Sequence, residues 1–383
     1  MKLDITDKEF YYPNRYTKAR PFILSLAKKY QFVDTRGDDF QKLYMDYFKG
    51  YGKELNQTDK PLVGEYDESL LREELLELLD YLSFYKSGNN IFHISDSLIE
   101  MFKKTDVDEV KINNLKLPYK NFYLSFSPQL EFKLTHSRLL SNFKKETFDI
   151  KDEIVFIDGA YIISDHQYSD DKRFKIGFTT FNNNNDYKKH WKIKRDAPDD
   201  FPFYFDLSVR EKGYYYNIAF DEETTVREIL TLIEKSDYEE PVKSEKTENE
   251  FKIIAEEVFK LVFNSLCYLT VYHERHKPIF TNEIPIDYKR KIEKKIDKPK
   301  DLKKIQSDLS TLGYSKIKYL GGEYDGLKSS NTTINGVKPH WRRGHWRNQA
   351  LGLNRKEHKL KWIEPTIVNR KLGDPEKGKI YDV

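Results

Sequence analysis

Cysteine is nearly absent from this chain of 383 residues, and the scarcity limits the sites that it can build. Cys267 is the one cysteine, so the sequence excludes a disulfide framework and a cysteine-based zinc site. It lies in an apolar run with helical spacing, which predicts a small buried side chain. A chain without disulfides fits the reducing cytosol.

Long apolar runs are also missing. The longest uncharged stretch, Leu261 to Tyr272, has 12 residues, whereas a helix needs about 20 to span a bilayer. The N-terminus begins Met1-Lys2-Leu3-Asp4 and lacks the apolar core of a signal peptide. We therefore expect a cytoplasmic protein that neither spans a membrane nor is exported.

Aromatic and charged residues are abundant, at 15% and 34% of the chain, and this combination indicates a folded, very soluble protein. The charge is unevenly distributed. Residues 287–383 hold 24 Lys and Arg against 12 Asp and Glu, whereas residues 1–286 hold 42 against 51. This asymmetry predicts a polyanion-binding end on an acidic body.

The spacing of apolar residues predicts an α+β fold with a mostly antiparallel sheet flanked by helices. Residues 1–116 form a helical N-terminal region, and residues 117–235 a β-rich domain. An acidic linker over residues 236–250 follows, and residues 251–383 hold a helix and a basic segment rich in tryptophan and arginine.

Individual elements follow from local patterns. Leucines at helical spacing between Leu71 and Leu82 predict a helix that ends near Gly88. Four runs rich in aromatic and β-branched residues predict strands: Phe122 to Phe126, Glu153 to Ile163, Arg173 to Phe181 and Phe203 to Phe220. Apolar spacing predicts a further helix from Phe251 to Tyr272, and a basic helix or arm over residues 289–304, interrupted at Pro299.

The segment from Val337 to Lys371 concentrates the residues suited to nucleic acid. It has ten Lys and Arg against two Glu, and three of the four tryptophans. Guanidinium groups bind phosphate through paired hydrogen bonds, and indoles stack on unpaired bases, so we predict a surface for single-stranded RNA or for a ribosome or nascent-chain complex. The candidate binding residues are His340, Trp341, Arg342, Arg343, His345, Trp346, Arg347, Gln349 and Arg355.

Alternation along an extended segment divides this motif between two faces. Trp341, Arg343, His345 and Arg347 would lie on one face, with His340, Arg342 and Trp346 on the other. In an alternative interpretation the tryptophans are core anchors, and arginines pack over them through cation–π contacts.

Three hypotheses for function follow. We favour a non-enzymatic protein that binds RNA or a translating complex. The first alternative is a metal-independent ribonuclease or toxin in which His340 and His345 act as acid and base, because histidine titrates near neutrality. The second is a protein-only interaction module whose acidic body binds a basic partner or nascent peptide.

Two motifs resemble known sites but depart from their spacing. Gly321 to Ser329 has one residue more than a P-loop between its last glycine and Lys328, so we exclude nucleotide hydrolysis. His273 and His276 are three residues apart rather than the four of a zinc protease, which favours helix-end capping or solvent exposure. We predict no metal site and no cofactor.

The C-terminal sequence also resembles a known family. Pro339-His340-Trp341-Arg342-Arg343-Gly344-His345-Trp346-Arg347, followed by Gln349, Gly352, Arg355 and Trp362-Ile363-Glu364-Pro365-Thr366, resembles the motif that closes phage- and plasmid-borne type V-A anti-CRISPR inhibitors. The resemblance implies a mobile-element inhibitor that lowers the amount of a CRISPR effector nuclease. It would recognise the beginning of that protein during translation and cause loss of its message. The implied partner is the effector protein or its message, and the implied site residues are for binding.

Overall fold

The computed structural model describes eleven ranges of the chain: residues 5–30, 38–56, 68–134, 153–164, 173–181, 214–236, 254–295, 298–324, 340–352, 357–368 and 380–381. These ranges contain nine α-helices: α1 Tyr12–Ala19, α2 Pro21–Tyr30, α3 Asp38–Asn56, α4 Glu68–Lys86, α5 Asp96–Phe102, α6 Val226–Ser236, α7 Lys260–Tyr272, α8 Ile286–Lys295 and α9 Pro299–Leu312. A π-helical segment, Ile254–Phe259, leads directly into α7.

The same ranges contain thirteen strands: β1 Asn90–Ile94, β2 Thr105–Asp106, β3 Asn121–Leu134, β4 Glu153–Ile163, β5 Arg173–Phe181, β6 Tyr214–Ala219, β7 Ile279–Phe280, β8 Lys316–Leu320, β9 His340–Arg342, β10 Gly344–Leu351, β11 Glu357–Ile363, β12 Thr366–Val368 and β13 Ile380–Tyr381. Seven of them form one sheet in the order β6-β5-β4-β3-β1-β8-β7. β1 is parallel to β3 and β8, and the remaining pairs are antiparallel. The α+β class, the mostly antiparallel sheet and the helical N-terminus are confirmed.

Helices cover both faces of this sheet. On one face α1 to α4 bury Ile91, Tyr123 and Ile317 in a core rich in tyrosine. On the other face α5, α6 and α7 pack against the remaining apolar side chains of the strands. Residues 261–269 of α7 are all buried, which explains why its sequence is apolar on every side.

Local signals place several helix ends. Gly88 follows α4 with a φ of +88°, and Gly313 follows α9 with a φ of +101°. Both angles lie in the left-handed region, which glycine adopts without steric cost at the end of a helix. Pro299 begins α9, where its missing N–H has no helical partner to lose.

The sheet combines strands from three of the predicted segments. β1 lies before residue 117, β3 to β6 lie within residues 117–235, and β7 and β8 lie after residue 250. The division into domains stays a prediction. The acidic linker lies outside the described residues except for Ser236.

Two smaller sheets carry the C-terminal motif. β10 pairs with β11 in an antiparallel hairpin and with β2 in parallel. β9 pairs with β12 and β13. Among the described residues, no helix is both long and apolar enough to cross a bilayer.

Candidate nucleic-acid interface

The candidate binding residues lie on two adjacent strands. β9 holds residues 340–342 and β10 begins at Gly344, so the motif is not one extended segment, and the predicted alternation stops at Arg343. The side chains of His340 and Trp341, and the whole of Arg355, lie outside the described residues. The remaining candidates have described positions.

The register of the β10–β11 hairpin places its side chains on two faces. Trp346 lies opposite Trp362, and Arg347 lies opposite Lys361. Paired residues of an antiparallel hairpin project to the same side, and neighbours along a strand project to opposite sides. His345 and Arg347 therefore share a face, and Trp346 lies on the other, as predicted for this part of the motif.

The inner face of the hairpin is part of the core. Trp346 is 7% exposed and Trp362 is 4% exposed. Their rings stack with centroids 5.7 Å apart and an interplanar angle of 16°. Trp346 and Trp362 are therefore core anchors, as the alternative interpretation predicts for the tryptophans, because a ring so deeply buried has no free surface for an unpaired base.

Hydrogen bonds attach both indoles to neighbouring elements. Trp346 Nε1 donates to Asn264 Oδ1 on α7 at 2.7 Å, and Trp362 Nε1 donates to Thr105 Oγ1 on β2 at 3.3 Å. The Asn264 amide in turn donates to the carbonyl oxygens of Thr105 and Lys260, at 3.2 and 3.0 Å. Buried indole N–H groups need such partners, so the hairpin has a defined position on α7 and β2.

Gly344 allows the close approach of β10 to this support. A Cβ atom at residue 344 would lie 2.7 Å from Pro365 Cδ and 2.8 Å from Thr105 Oγ1. The Gly344 N–H donates to the carbonyl oxygen of Lys104 at 2.8 Å. A larger residue would therefore separate β10 from β2.

The outer face of the hairpin is basic. We call it the basic face, and it consists of His345, Arg347, Gln349, Lys359 and Lys361. All are exposed except Gln349, which is half-buried and donates from Nε2 to the carbonyl oxygen of Ala350. Arg342 on β9 and Arg343 between the strands are also exposed.

Like charges are directly opposed on the basic face. Arg347 faces Lys361 across the hairpin, and Lys359 lies two residues from Lys361 on the same strand. Cross-strand pairs of like charge destabilise a sheet. Among the residues that the structure describes, no acidic side chain forms an ion pair with Arg347, Lys359 or Lys361. Glu357 lies on the same side, at the far end of the hairpin opposite Leu351.

The histidine pair of the zinc-protease-like motif has structural roles. His273 Nδ1 donates to the Leu269 carbonyl oxygen at 2.9 Å and so caps α7, as predicted. His276 Nε2 lies 3.4 Å from Tyr268 Oη, and burial lowers the pKa of His276. Within the described ranges, no group of three or more histidine, cysteine, aspartate or glutamate residues could hold a metal ion.

Cys267 is fully buried on α7, in agreement with its predicted packing role. Burial raises the pKa of its thiol well above the ordinary value, which keeps the sulfur in its protonated, unreactive form. The glycine-rich segment follows β8 as expected. Residues beyond Tyr324 in that segment lie outside the described residues.

The lysines of β11 and Asn264 on α7 were not among the predicted site residues. Lys359 and Lys361 alternate with the buried Leu360 and Trp362, a period of two that predicts an exposed basic row on a strand. Asn264 gave no comparable signal. Its buried amide is significant only because Trp346, 82 residues later, lies beside it.

Comparison with known proteins places the chain in a family. The model described as "AcrVA2-like: Anti-CRISPR type V subtype A2 family" matches residues 92–370, a region that includes the β10–β11 hairpin. Among solved structures, the chain is similar to one titled "Crystal structure of AcrVA2", with 17% identity and a TM-score of 0.43. That alignment covers 93% of this chain and 97% of the other. No curated protein matches the chain.

Proposed function

Because the chain belongs to the type V subtype A2 anti-CRISPR family, we propose that it lowers the level of a CRISPR effector nuclease by binding RNA through the basic face. The family supports the role of anti-CRISPR inhibitor. The binding of RNA is our proposal, and the observation that carries it is the exposed, opposed pair Arg347 and Lys361.

The opposed pair destabilises the hairpin. Two cations directly opposite on a hairpin repel each other, and the described residues provide no carboxylate between them. A phosphate group bound between Arg347 and Lys361 would convert this repulsion into two charge-assisted hydrogen bonds. The basic face therefore favours an anionic ligand.

Planar side chains favour an unpaired strand as that ligand. The imidazole of His345 and the guanidinium of Arg347 are exposed on the basic face, and both groups stack on splayed bases in RNA recognition. Gln349, on the same face, has amide atoms that can bond to base edges. Phosphate contacts from the two lysines would position such a strand, and the planar groups would contact its bases.

The support beneath the face keeps these groups in place. The stacked indoles and their hydrogen bonds to Asn264 and Thr105 hold the hairpin on α7 and β2. A site on a supported strand retains its geometry better than one on a loop.

The test is a binding titration with the full chain and a fluorescently labelled single-stranded RNA. Arg347→Gln with Lys361→Gln should weaken binding, and the slope of log affinity against log salt should become shallower by about 1 to 2, since each single-strand phosphate contact contributes about 0.7. The matched control is Lys28→Gln with Lys120→Gln, which removes two exposed charges elsewhere. An unchanged slope in the Arg347 and Lys361 variant would remove the basic face from this role.

The same variants should be compared in cells that express the effector. We expect the wild type and the control variant to lower effector protein, and the variant of the basic face to lose this effect.

Analysis of the RNA on a denaturing gel checks the ribonuclease alternative, because shortened RNA with wild type but not with His345→Ala would support cleavage. Binding to isolated effector peptide, unaffected by removal of RNA, would favour the protein-only module.

A further inference from the structure

A second basic surface lies on the helical hairpin of α8 and α9. Six of its basic side chains are exposed: Arg290, Lys291, Lys294, Lys300, Lys303 and Lys304. We call this surface the lysine hairpin. None of the six forms an ion pair with another residue in the described part of the chain.

The two helices of the lysine hairpin pack against each other through apolar side chains, and the basic side chains lie on the outside. Ile284, Ile305 and Leu309 form a small apolar core, and Tyr288 and Ile292 pack against it. Apolar contacts and one ion pair, between Lys295 and Asp301, thus hold the two helices together. The charged ends of the six exposed side chains lie outside this apolar core, and their concentration on one hairpin needs another explanation.

Like charges also lie one helical turn apart within each helix. Arg290 and Lys294 are four residues apart on α8, and Lys300 and Lys304 are four apart on α9. Like charges at this spacing destabilise a helix by about 0.2–0.5 kcal/mol per pair. Lys295 Nζ donates a hydrogen bond to Asp301 Oδ2 at 2.9 Å. This bond and the positive charges of Lys295, Lys298 and Lys304 lower the pKa of Asp301.

The chemistry of this surface differs from that of the basic face. Five of the six cations are ammonium groups, which are point charges that bind phosphate without reading a base. The aromatic ring available on these helices, Tyr288, is half-buried, and Lys291 Nζ lies 4.8 Å from its centroid. Single strands bind through stacking as well as charge, whereas a double helix presents its phosphates and hides its bases.

We propose that the lysine hairpin binds the phosphate backbone of double-stranded RNA. The choice of RNA rather than DNA rests on the proposed function, and the double helix follows from the exposed cations and the half-buried ring. The surface acts without sequence preference and holds a structured part of an RNA. The basic face contacts an unpaired part.

The experiment measures the affinity of the full chain for a labelled RNA duplex over salt concentrations of about 50 to 200 mM. Lys291→Gln, Lys294→Gln and Lys300→Gln are combined in one variant, since glutamine preserves helix propensity. We expect the slope of log affinity against log salt to become shallower by about 2 to 3, and binding at low salt to weaken about tenfold or more. Circular dichroism melting confirms that the variant is folded.

A matched triple variant serves as control, with Lys28→Gln, Lys49→Gln and Lys120→Gln on exposed positions of other elements. Its slope should equal that of the wild type. An unchanged slope in the lysine-hairpin variant, or an equal decrease in the control, would overturn the proposal. Tighter binding of a DNA duplex of the same sequence would overturn the assignment to RNA.

Two comparisons separate this proposal from the function proposed above. Arg347→Gln with Lys361→Gln should leave the duplex slope unchanged, and the lysine-hairpin variant should leave affinity for single-stranded RNA unchanged. Loss of duplex binding alone would support the lysine hairpin even if the basic face fails its own test. A lysine-hairpin variant that weakens single-stranded and duplex RNA equally would contradict the assignment to a double helix.

Discussion

At the scale of residues, the two tryptophans of the hairpin have different hydrogen-bond environments. Asn264 Oδ1 accepts from Trp346 Nε1 at 2.7 Å inside the core. Thr105 Oγ1 accepts from Trp362 Nε1 at 3.3 Å and also donates to the Met101 carbonyl oxygen at 2.9 Å. Loss of the first bond leaves a buried carbonyl oxygen unpaired, while loss of the second leaves Thr105 with a partner.

We therefore expect Trp346→Phe to destabilise the fold more than Trp362→Phe. The unpaired Asn264 oxygen should cost about 1–3 kcal/mol, beyond the loss of ring volume that both variants share. Urea unfolding of the two variants and the wild type measures the difference. Equal losses of the free energy of unfolding would show that the hydrogen bond to Asn264 contributes no more to stability than the bond to Thr105.

At the scale of elements, a buried ion pair joins helix α4 to strand β5. Lys175 Nζ lies 2.6 Å from Asp80 Oδ1. Asp80 is 2% exposed, and its Oδ2 has no hydrogen-bond partner among the described residues. Burial raises the pKa of Asp80 from 3.8 to about 6, although the charge of Lys175 acts in the opposite direction. Desolvation of the carboxylate therefore outweighs its pairing.

This shift predicts a pH dependence of definite sign. The folded state binds a proton at Asp80 more tightly than the unfolded state, so stability from this group falls as pH rises from 3.8 to about 6. The free energy of unfolding of the wild type minus that of Asp80→Asn should fall over this window and level off above it. Urea titrations at several pH values measure the difference.

Asp46 provides the contrast. Hydrogen bonds from Lys29 and Tyr30 lower the pKa of Asp46, so its contribution should be present above 3.8 and lost at lower pH. The corresponding difference for Asp46→Asn should therefore change in the opposite direction. A difference for Asp80 that is constant across the window would contradict the raised pKa.

At the scale of the whole molecule, the N-terminal helices complete the core of the sheet. The family model matches residues 92–370, which excludes α1 to α4. Yet these helices cover Ile91, Tyr123, Tyr161, Ile163 and Ile317 on one face of the central sheet. Removing them would expose a contiguous apolar face, and such faces promote association.

We expect a fragment of residues 90–383, which lacks α1 to α4 but keeps the whole of β1 and the matched region, to aggregate or to lose cooperative unfolding. Size-exclusion chromatography and the binding of an apolar dye report the outcome, with the full chain as reference. A monomeric fragment that melts as cooperatively as the full chain would show that the second face of the sheet does not need α1 to α4.

Local chemistry made several elements predictable. β4 and β5 occupy the predicted ranges, Glu153–Ile163 and Arg173–Phe181, because aromatic and β-branched residues favour a pleated strand wherever it pairs. The end of α4 near Gly88 and the break before α9 at Pro299 follow from backbone preferences of glycine and proline. The sequence by itself also determined the charge asymmetry and the lack of a disulfide or cysteine-based zinc site.

Only the tertiary structure decided how distant segments meet. β1 pairs with β3 on one side and with β8 on the other, and β8 lies more than two hundred residues later in the chain. No local pattern encodes such a pairing, because it depends on the complementary apolar faces that the folded elements present. The same holds for Trp346. From sequence, an indole in a basic segment could either stack on a nucleic-acid base or pack in the core. In the structure Trp346 packs in the core, where its N–H bonds to the buried amide of Asn264 on a distant helix.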